Sequence, residues 1–527
     1  MSRVFVFGLD GGDPEVLRAG FESGRLPVLK KLADEGRWGP SRSTHPPLTP
    51  PAWTSFITGV GPARHGIFGF VAREPGSYTT GPVSATDRRH PTLFSRLAAS
   101  GKAVATVTVP WTYPPEDLPG GCVVGGSGTP GSTRAGVSPP SFFDDIERFG
   151  GIPFTPAPPP VPRFLQRSRE AIRRRFQVGN LAMERFDPDV FMLVAQETDQ
   201  VSHRFWRPGP IPPKVMDVYS AADEQIGEFL EQYAEPDDAV LVVSDHGSGP
   251  CSLRVQMNRL LLDLGYLHAS RERPSPVRRA VRRARGWTRL SLKSSGRRRV
   301  RAMIPAGMMR QLSTYMHHTG IDWSQTVAYS MYEYGAVHIN VKGRDPQGIV
   351  DPREYERVRG EVKQALESIV TPSGEPLFSK VWVREDLYEG PFVDEAPDLV
   401  GDANDSAHGI YGWWDLSVPP FLQPSDTGVE DRNRVGMHRP SGIYLLRDPL
   451  VASTTENEPV DLPSILPAVL AGRSILPLES DLADRWYGHR GGDKEAVAVD
   501  STPRGETLPE GEKEEITQRL REMGYLD

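Results

Sequence analysis

Short runs of apolar residues alternate with longer amphipathic segments along this chain, and that alternation limits its possible folds more than any other feature. The apolar runs are Arg3–Phe7, Ala103–Val109, Val190–Ala195, Ala239–Val243 and Ile443–Leu446. The segments with helical spacing are Asp13–Ala19, Leu26–Glu35, Pro91–Ala99, Arg163–Arg185, Pro213–Tyr233 and Pro352–Ile369. Strands that are apolar along their whole length are buried on both faces. The pattern therefore predicts an α/β sheet with helices on both sides.

Composition supports a globular chain with many loops. The 527 residues are 38% hydrophobic and 24% charged, which is enough to form a core. There are 52 glycines and 51 prolines, a share that argues against a helical bundle. Cys122 and Cys251 cannot form a disulfide framework, and neither a long apolar segment nor a secretory signal is visible in the sequence. These features predict a cytoplasmic protein without a transmembrane segment.

One stretch of the sequence is strongly basic. Arg271–Arg310 contains 14 lysines or arginines and a single acidic residue, Glu272, whereas the whole chain has a net charge of −7. Such a stretch can bind an anionic membrane surface or a polyanion, but it can equally be the solvated face of a helix. We predict a basic helical insertion or cap at 265–325, a discontinuous catalytic domain at 1–264 and 326–486, and a charged tail with a short helix at 487–527.

Acidic residues and histidines follow several of the predicted strands. They are Asp10, the pair Asp199 and His203, the pair Asp245 and His246, and His438. On a helix, residues four apart such as Asp199 and His203 face the same side. Each residue alone has an ordinary explanation, because aspartate commonly caps helices and forms turns. As a cluster they favour a metal site, since buried carboxylates need cations, and carboxylate and imidazole ligands suit Zn²⁺, Mn²⁺ or iron.

Thr49 is the candidate nucleophile. It precedes Pro50 and Pro51 and an apolar segment that extends to Gly59. Threonine is a good helix N-cap and proline is favoured at the first helical position, so Thr49 also has a purely structural explanation. The same position would place its hydroxyl in the positive field of a helix N-terminus, which favours a developing alkoxide. A metal ion close by would activate the hydroxyl further.

Six blocks of sequence contain or neighbour these residues: FGLDGGDPEVL, GRLPVLKKLADEGRWG, PPLTPPAWTSFITGVGPARHGIFGF, TDQVSHRFW, VVSDHGSG and GMHRPSGIYLL. In their order and internal spacing they resemble the alkaline phosphatase superfamily, specifically its type I phosphodiesterase/nucleotide pyrophosphatase family. The resemblance implies a mixed, mostly parallel sheet sandwiched between helices, with an inserted cap. It extends from residue 3 to about residue 480.

The resemblance also implies a role for each candidate residue. Asp10, Asp245 and His246 would hold one metal ion with Thr49 completing its shell, and Asp199, His203 and His438 would hold the other. The ions of the family are usually zinc. Thr49 would attack phosphorus and form a phosphothreonine intermediate that water then hydrolyses.

Two departures from related sequences bear on the substrate. Nucleotide pyrophosphatases of the family place a transition-state-stabilising asparagine shortly after the HGI block, where this sequence has Phe70. Phe70 is therefore the candidate substrate-binding residue, and its apolar side chain weakens the case for nucleotide substrates. Formylglycine sulfatases need Cys or Ser followed by x-Pro-x-Arg, and Thr49–Trp53 lacks both the Cys or Ser and the Arg.

The sequence thus predicts a two-metal hydrolase of phosphate esters and favours diesters as substrates. One alternative is a phosphomonoesterase or phosphomutase-like enzyme on the same scaffold. Another is a non-catalytic protein that binds anionic surfaces through its basic stretch. The complete set of six ligands with Thr49 argues against that last alternative, because a binding protein has no need of all seven residues.

Overall fold

The computed structural model describes residues 2–74, 76–154, 161–270, 320–331, 334–403, 407–412, 414–424, 435–455, 458–488, 505 and 507–523. The basic stretch Arg271–Arg310 lies outside these residues, and so does most of the predicted insertion at 265–325. Within the described ranges, no helix is both long enough and apolar enough to cross a membrane.

The strands and helices alternate along the chain. In chain order the strands are β1 Val4–Leu9, β2 Arg37–Arg42, β3 Val71–Arg73, β4 Thr80–Pro82, β5 Val104–Val109, β6 Cys122–Gly125, β7 Val137–Ser138, β8 Val190–Ala195, β9 Ala239–Val243, β10 Gly247–Pro250, β11 Leu253–Gln256, β12 Ala328–Tyr329, β13 Ala336–Ile339, β14 Lys380–Val383, β15 Leu399–Asp402, β16 His408–Tyr411, β17 Phe421–Leu422, β18 Gly436–Arg439, β19 Ser441–Arg447, β20 Thr454–Thr455 and β21 Val460–Asp461. The helices are α1 Pro14–Glu22, α2 Pro27–Glu35, α3 Thr49–Thr58, α4 Pro62–His65, α5 Leu93–Ala99, α6 Phe143–Glu147, α7 Val161–Phe186, α8 Glu197–Phe205, α9 Pro213–Tyr233, α10 Met257–Asp263, α11 Tyr355–Glu367, α12 Arg384–Leu387, α13 Leu462–Gly472, α14 Asp481–Tyr487 and α15 Glu510–Met523.

Ten of these strands form the central sheet, and most of its pairs are parallel. The strands lie in the order β20-β2-β19-β9-β1-β8-β5-β6-β7, with β21 also paired to β2. Strands β9, β1, β8, β5 and β6 are parallel neighbours, whereas β19 pairs antiparallel with both β9 and β2. All five apolar runs of the sequence belong to this sheet. The predicted α/β fold with a mixed, mostly parallel sheet is therefore confirmed.

Helices cover both faces of the sheet. Successive side chains of a strand point to opposite faces, so each strand contributes to two cores. In β1, Phe5 and Phe7 pack in one core with α1, α2, α7 and α9. Val4 and Val6 pack in a second core with α3, α5, α13 and α14. All four side chains are at most 1% exposed. With both faces covered, the ends of the strands are the places where polar groups can gather.

A smaller sheet has a core of its own. Its strands lie in the order β12-β13-β15-β14, and α10 and α11 pack against it through side chains such as Leu261 and Leu366. The hairpin of β3 and β4 reaches this core, where Tyr78 stacks on Trp323 with ring centroids 3.6 Å apart. The hairpin, which follows α3 and α4 in the chain, therefore packs against the smaller sheet.

Candidate active site

The carboxyl ends of three neighbouring strands bring the predicted acidic residues together. Asp10 follows β1, Asp199 lies in the first turn of α8 just after β8, and Asp245 follows β9. Because β9, β1 and β8 are adjacent parallel strands, these ends meet at one edge of the sheet. All three carboxylates are completely buried.

The three histidines reach the same place by different routes. His203 lies one turn after Asp199 on α8, and His246 directly follows Asp245. His438 belongs to β18, which pairs antiparallel with β10 and so approaches the end of β9. Its ring stacks on that of His246 with centroids 3.7 Å apart. The structure thus brings all six predicted ligands together.

The donor atoms of these residues form two adjoining groups. Asp199 Oδ1 lies 3.1 Å from His203 Nε2 and 3.4 Å from His438 Nε2. His246 Nε2 lies 3.2 Å from Asp245 Oδ2 and 3.9 Å from Asp10 Oδ1. Among the described residues, the donor sets that could hold one ion are Asp10, Asp245, His246 and Asp199, His246, His438. His246 is common to both sets, so the two groups share a boundary.

The hydrogen bonds of the three histidines turn the same ring nitrogen, Nε2, toward the donor groups. Nδ1 of His203, His246 and His438 lies 2.8, 2.9 and 2.7 Å from the carbonyl oxygens of Gly436, Gly247 and Pro47, respectively. A carbonyl can only accept, so each Nδ1 carries a proton, and in the neutral ring each Nε2 is then an acceptor. The Nε2 atoms of His203 and His438 are nevertheless 2.9 Å apart. Two acceptors at that distance repel each other unless a cation lies between them, which fits a metal centre whose histidines are oriented by backbone carbonyls.

The buried carboxylates also fit a cation. Burial, reinforced by repulsion from Asp245 and Asp199, raises the pKa of Asp10 well above its usual value. Burial likewise raises the pKa of Asp245 well above its usual value. Carboxylates gathered in a buried site are stabilised by divalent cations, and a donor set of Asp and His suits Zn²⁺.

Thr49 is the first residue of α3, and its hydroxyl lies next to His246. The N-cap of this helix is Leu48, so Thr49 lies one position later than the N-cap expected from the sequence. Thr49 Oγ1 is 3.4 Å from His246 Nε2, and the residue is 1% exposed. The hydroxyl therefore adjoins both the N-terminus of a helix and the donor group that contains His246.

Phe70, the candidate substrate-binding residue, lies in a covered apolar cluster. Its side chain is 4% exposed, and its ring centroid is 5.4 Å from that of Trp111. Leu48, next to Thr49, and Met437, next to His438, belong to the same cluster. Phe70 is thus near the site in the fold, but the side chain is packed against other residues.

Two buried contacts beside the carboxylates have no counterpart in the sequence predictions. Trp53 Nε1 donates to Asp10 Oδ2 at 3.2 Å, and Arg175 Nη2 donates to Glu197 Oε1 at 2.9 Å. The side chains of Arg175 and Glu197 are at most 1% exposed, and Trp53 is completely buried. The available sequence signals were weak: Trp53 lies one helical turn after Thr49, whereas Arg175 is one of many arginines in α7.

Comparisons with known proteins agree with this fold. The family model for type I phosphodiesterase / nucleotide pyrophosphatase matches residues 4–440. Phosphonoacetate hydrolase from Sinorhizobium meliloti 1021 is similar in its complex with phosphonoacetate, with 17% identity and a TM-score of 0.55 over 88% of this chain and 94% of that chain. Its complex with phosphonoformate gives 18% identity and a TM-score of 0.53 over the same shares.

A third solved structure is murine ectonucleotide pyrophosphatase / phosphodiesterase 5 in complex with AMP. It has 12% identity and a TM-score of 0.49 over 92% of this chain and 99% of that chain. No curated protein matches the sequence. At these identities the two phosphonoacetate hydrolase structures show a common fold, whereas the family model covers most of the chain. This protein therefore belongs to the type I phosphodiesterase/nucleotide pyrophosphatase family.

Proposed function

We propose that this protein is a two-metal phosphodiesterase that uses Thr49 as its nucleophile. The observation that carries the proposal is the convergence of one hydroxyl, three carboxylates and three imidazoles in a buried site. Membership of the family supports phosphoester hydrolysis in general. The donor set supports a metal-dependent route in particular.

Two divalent cations would occupy the two donor groups, and the ligand set favours zinc, with manganese or iron as alternatives. Asp10, Asp245 and His246 would hold one ion beside Thr49. Asp199 and His438 would hold the other together with His203, whose Nε2 lies 3.1 Å from Asp199 Oδ1, so that His246 serves the first ion alone. When bound, such ions act as Lewis acids that stabilise charge on the attacking and leaving oxygens. The backbone carbonyls at the three Nδ1 atoms would keep the imidazoles in the tautomer that a ligand needs.

Thr49 would form the covalent intermediate. Thr49 Oγ1 gives up its proton to solvent and forms a bond to phosphorus while the bond from phosphorus to the alcohol leaving group breaks, and the departing alkoxide takes a proton from solvent. Water then attacks the phosphothreonine, which releases a phosphate monoester and restores the hydroxyl. The N-terminus of α3 favours negative charge on Oγ1 in both steps.

The test compares wild type, Thr49→Ala and Thr49→Ser with bis-p-nitrophenyl phosphate as substrate. We expect Thr49→Ala to lose several orders of magnitude in kcat and Thr49→Ser to retain part of the activity. Because the N-cap of α3 is Leu48 and the cap has no side-chain hydrogen bond, we expect the alanine variant to lose less than about 1 kcal/mol of stability. A chelator should abolish wild-type turnover, and added Zn²⁺ should restore it.

A Thr49→Ala variant that keeps more than about a tenth of the wild-type kcat would contradict the nucleophile assignment. Full activity after chelation would contradict the metal assignment. A phosphomonoesterase would instead prefer a monoester, and a non-catalytic protein would turn over neither compound.

Binding of anionic surfaces by Arg271–Arg310 and a cytoplasmic location stay predictions.

A further inference from the structure

We propose that Trp53 is a positioning residue for the metal centre, because it holds Asp10 in the orientation that directs one carboxylate oxygen at the site. The inference rests on the proposed function, since it concerns how tightly the site binds one of its ions. It assigns a role to a residue that lies outside the proposed ligand sets.

The two oxygens of Asp10 have different surroundings. Oδ2 accepts the hydrogen bond from Trp53 Nε1 at 3.2 Å. Oδ1 is buried, has no hydrogen-bond partner within the described part of the chain, and lies 3.9 Å from His246 Nε2. The indole therefore fixes one oxygen and leaves the other to face the donor group. A carboxylate without this bond could rotate and lose that orientation.

Trp53 belongs to the same helix as Thr49. The two residues are four positions apart on α3, so they lie on one face of the helix. Every residue of α3 is buried, which holds the helix against its neighbours. One packed element thus carries both the proposed nucleophile and the group that orients Asp10.

A glycine in β1 makes room for the indole. Gly8 precedes Asp10 by two positions, and a Cβ atom at Gly8 would lie 2.6 Å from Trp53 Cη2 and 2.7 Å from Val194 Cγ2. Both distances are too short for a real contact, so a side chain at this position would force the ring, Val194 or both to shift. The close approach of the indole to the backbone of β1 is what allows its N–H to reach the carboxylate that follows the strand.

Core packing alone is the competing explanation for Trp53. The ring is completely buried and meets Phe56 edge to face, with centroids 5.8 Å apart. A phenylalanine at position 53 would keep an aromatic ring in the core but would lose the N–H. Trp53→Phe therefore separates the two explanations, because only the positioning role depends on the hydrogen bond.

The experiment titrates the metal-free full-length protein with Zn²⁺, in competition with a chromogenic chelator. We expect wild type to bind two ions and Trp53→Phe to bind one of them 10- to 100-fold more weakly, the usual effect of removing a group that orients a metal ligand. The matched control is Trp111→Phe. The indole of Trp111 is equally buried, and its Nε1 donates to the carbonyl of Val83 at 3.1 Å, away from the donor groups. This control should bind both ions as wild type does.

A loss of stability in Trp53→Phe does not obscure the result. Each variant is also unfolded by heat with and without Zn²⁺, and the rise in Tm on adding zinc reports binding relative to the same metal-free variant. We expect a smaller rise in Tm for Trp53→Phe than for Trp111→Phe. We expect Gly8→Ala also to show a smaller rise than Trp111→Phe, because its added Cβ crowds the ring although the N–H is still present. Equal affinities in wild type and Trp53→Phe would overturn the positioning role and leave the proposed function standing. A wild-type protein that binds no divalent ion would overturn both.

Discussion

His65 is a buried histidine outside the candidate donor groups, and its hydrogen bonds determine its protonation state. The N–H of Ile67 donates to His65 Nδ1 at 3.2 Å, so Nε2 carries the proton and donates to Ser55 Oγ at 2.9 Å. Burial, followed by the positive charge of Arg88, lowers the pKa of His65 to about 3. The neutral ring links α4 to α3, the helix that carries Thr49.

This geometry makes the protein less stable in acid. The folded state keeps His65 neutral down to about pH 3, whereas an unfolded histidine takes up a proton near pH 6.5. Between these values the unfolded state binds more protons, so the free energy of unfolding should decrease as the pH falls. In His65→Gln, whose amide can donate and accept in place of the ring, this part of the pH dependence should vanish. Urea unfolding of the metal-free wild type and variant at pH 7 and pH 5 measures the decrease in the free energy of unfolding. An equal decrease in the two proteins would contradict the prediction.

At the scale of single residues, the sequence identifies those whose chemistry is unusual for their position. It misses the residues that support them. Asp10, Asp245 and His438 stand out because polar side chains directly follow or precede apolar strands. Trp53 and Arg175 do not, because an apolar residue in a helix and an arginine in an arginine-rich helix are ordinary. Their importance lies in the contacts they make with Asp10 and Glu197, which only the fold reveals.

At the scale of elements, α15 carries more than its charged composition indicates. Ile516 and Leu520 are four residues apart, lie on one face and are at most 1% exposed. They belong to the same cluster as Phe70 and Trp111. Polar contacts flank this face, since Tyr113 Oη donates to Glu512 Oε2 at 2.8 Å and Arg519 Nη1 donates to the carbonyl of Thr129 at 2.9 Å. Two apolar positions are too few for sequence periodicity to predict docking, so the sequence indicated only a charged tail with a short helix.

Leu520 should anchor this helix. Truncating a buried leucine to alanine costs about 2–5 kcal/mol, and a helix near the end of the described chain can detach without unfolding the central sheet. We therefore expect faster hydrogen exchange of the amides of Glu510–Met523 in Leu520→Ala, with the protection of β1 and β8 retained. Leu520→Met is the control, because a volume-conserving exchange costs less than about 1.5 kcal/mol. Unchanged protection of the helix in Leu520→Ala would show that the polar contacts suffice to hold it.

At the scale of the whole molecule, the sequence predicts the central sheet but not how it assembles the site. Its strands are long and apolar throughout, which is a strong signal. The order of the strands follows from pairing between distant segments, as when β8 and β9 flank β1. The smaller sheet gave no signal, because strands such as β12 and β15 have two to four residues. The position of His438 likewise depends on the pairing of β18 with β10, which no local pattern indicates.

Arg64 and Arg204, which lie near Thr49 and His203 in sequence, bear on the class of substrate. Arg64 Nη2 lies 3.3 Å from Glu389 Oε1, and the guanidinium of Arg204 lies 5.1 Å from the ring centroid of Phe164. Arg175 is paired with Glu197. These cations are therefore engaged by groups of the protein itself. A monoester dianion carries one more negative charge than a diester, and a preference for it takes a cation beyond the two metal ions, usually a guanidinium.

We therefore expect this protein to prefer diesters. Under one set of metal and pH conditions, kcat/KM for bis-p-nitrophenyl phosphate should exceed that for p-nitrophenyl phosphate by about tenfold or more, since one missing electrostatic partner in the transition state costs at least that much. Arg64→Ala and Arg204→Ala should leave the ratio unchanged, because neither side chain is expected to touch the phosphoryl group. A preference for the monoester would overturn the diesterase proposal in favour of a phosphomonoesterase. In that event, a selective loss of monoester hydrolysis in either arginine variant would identify the cation that binds the extra charge.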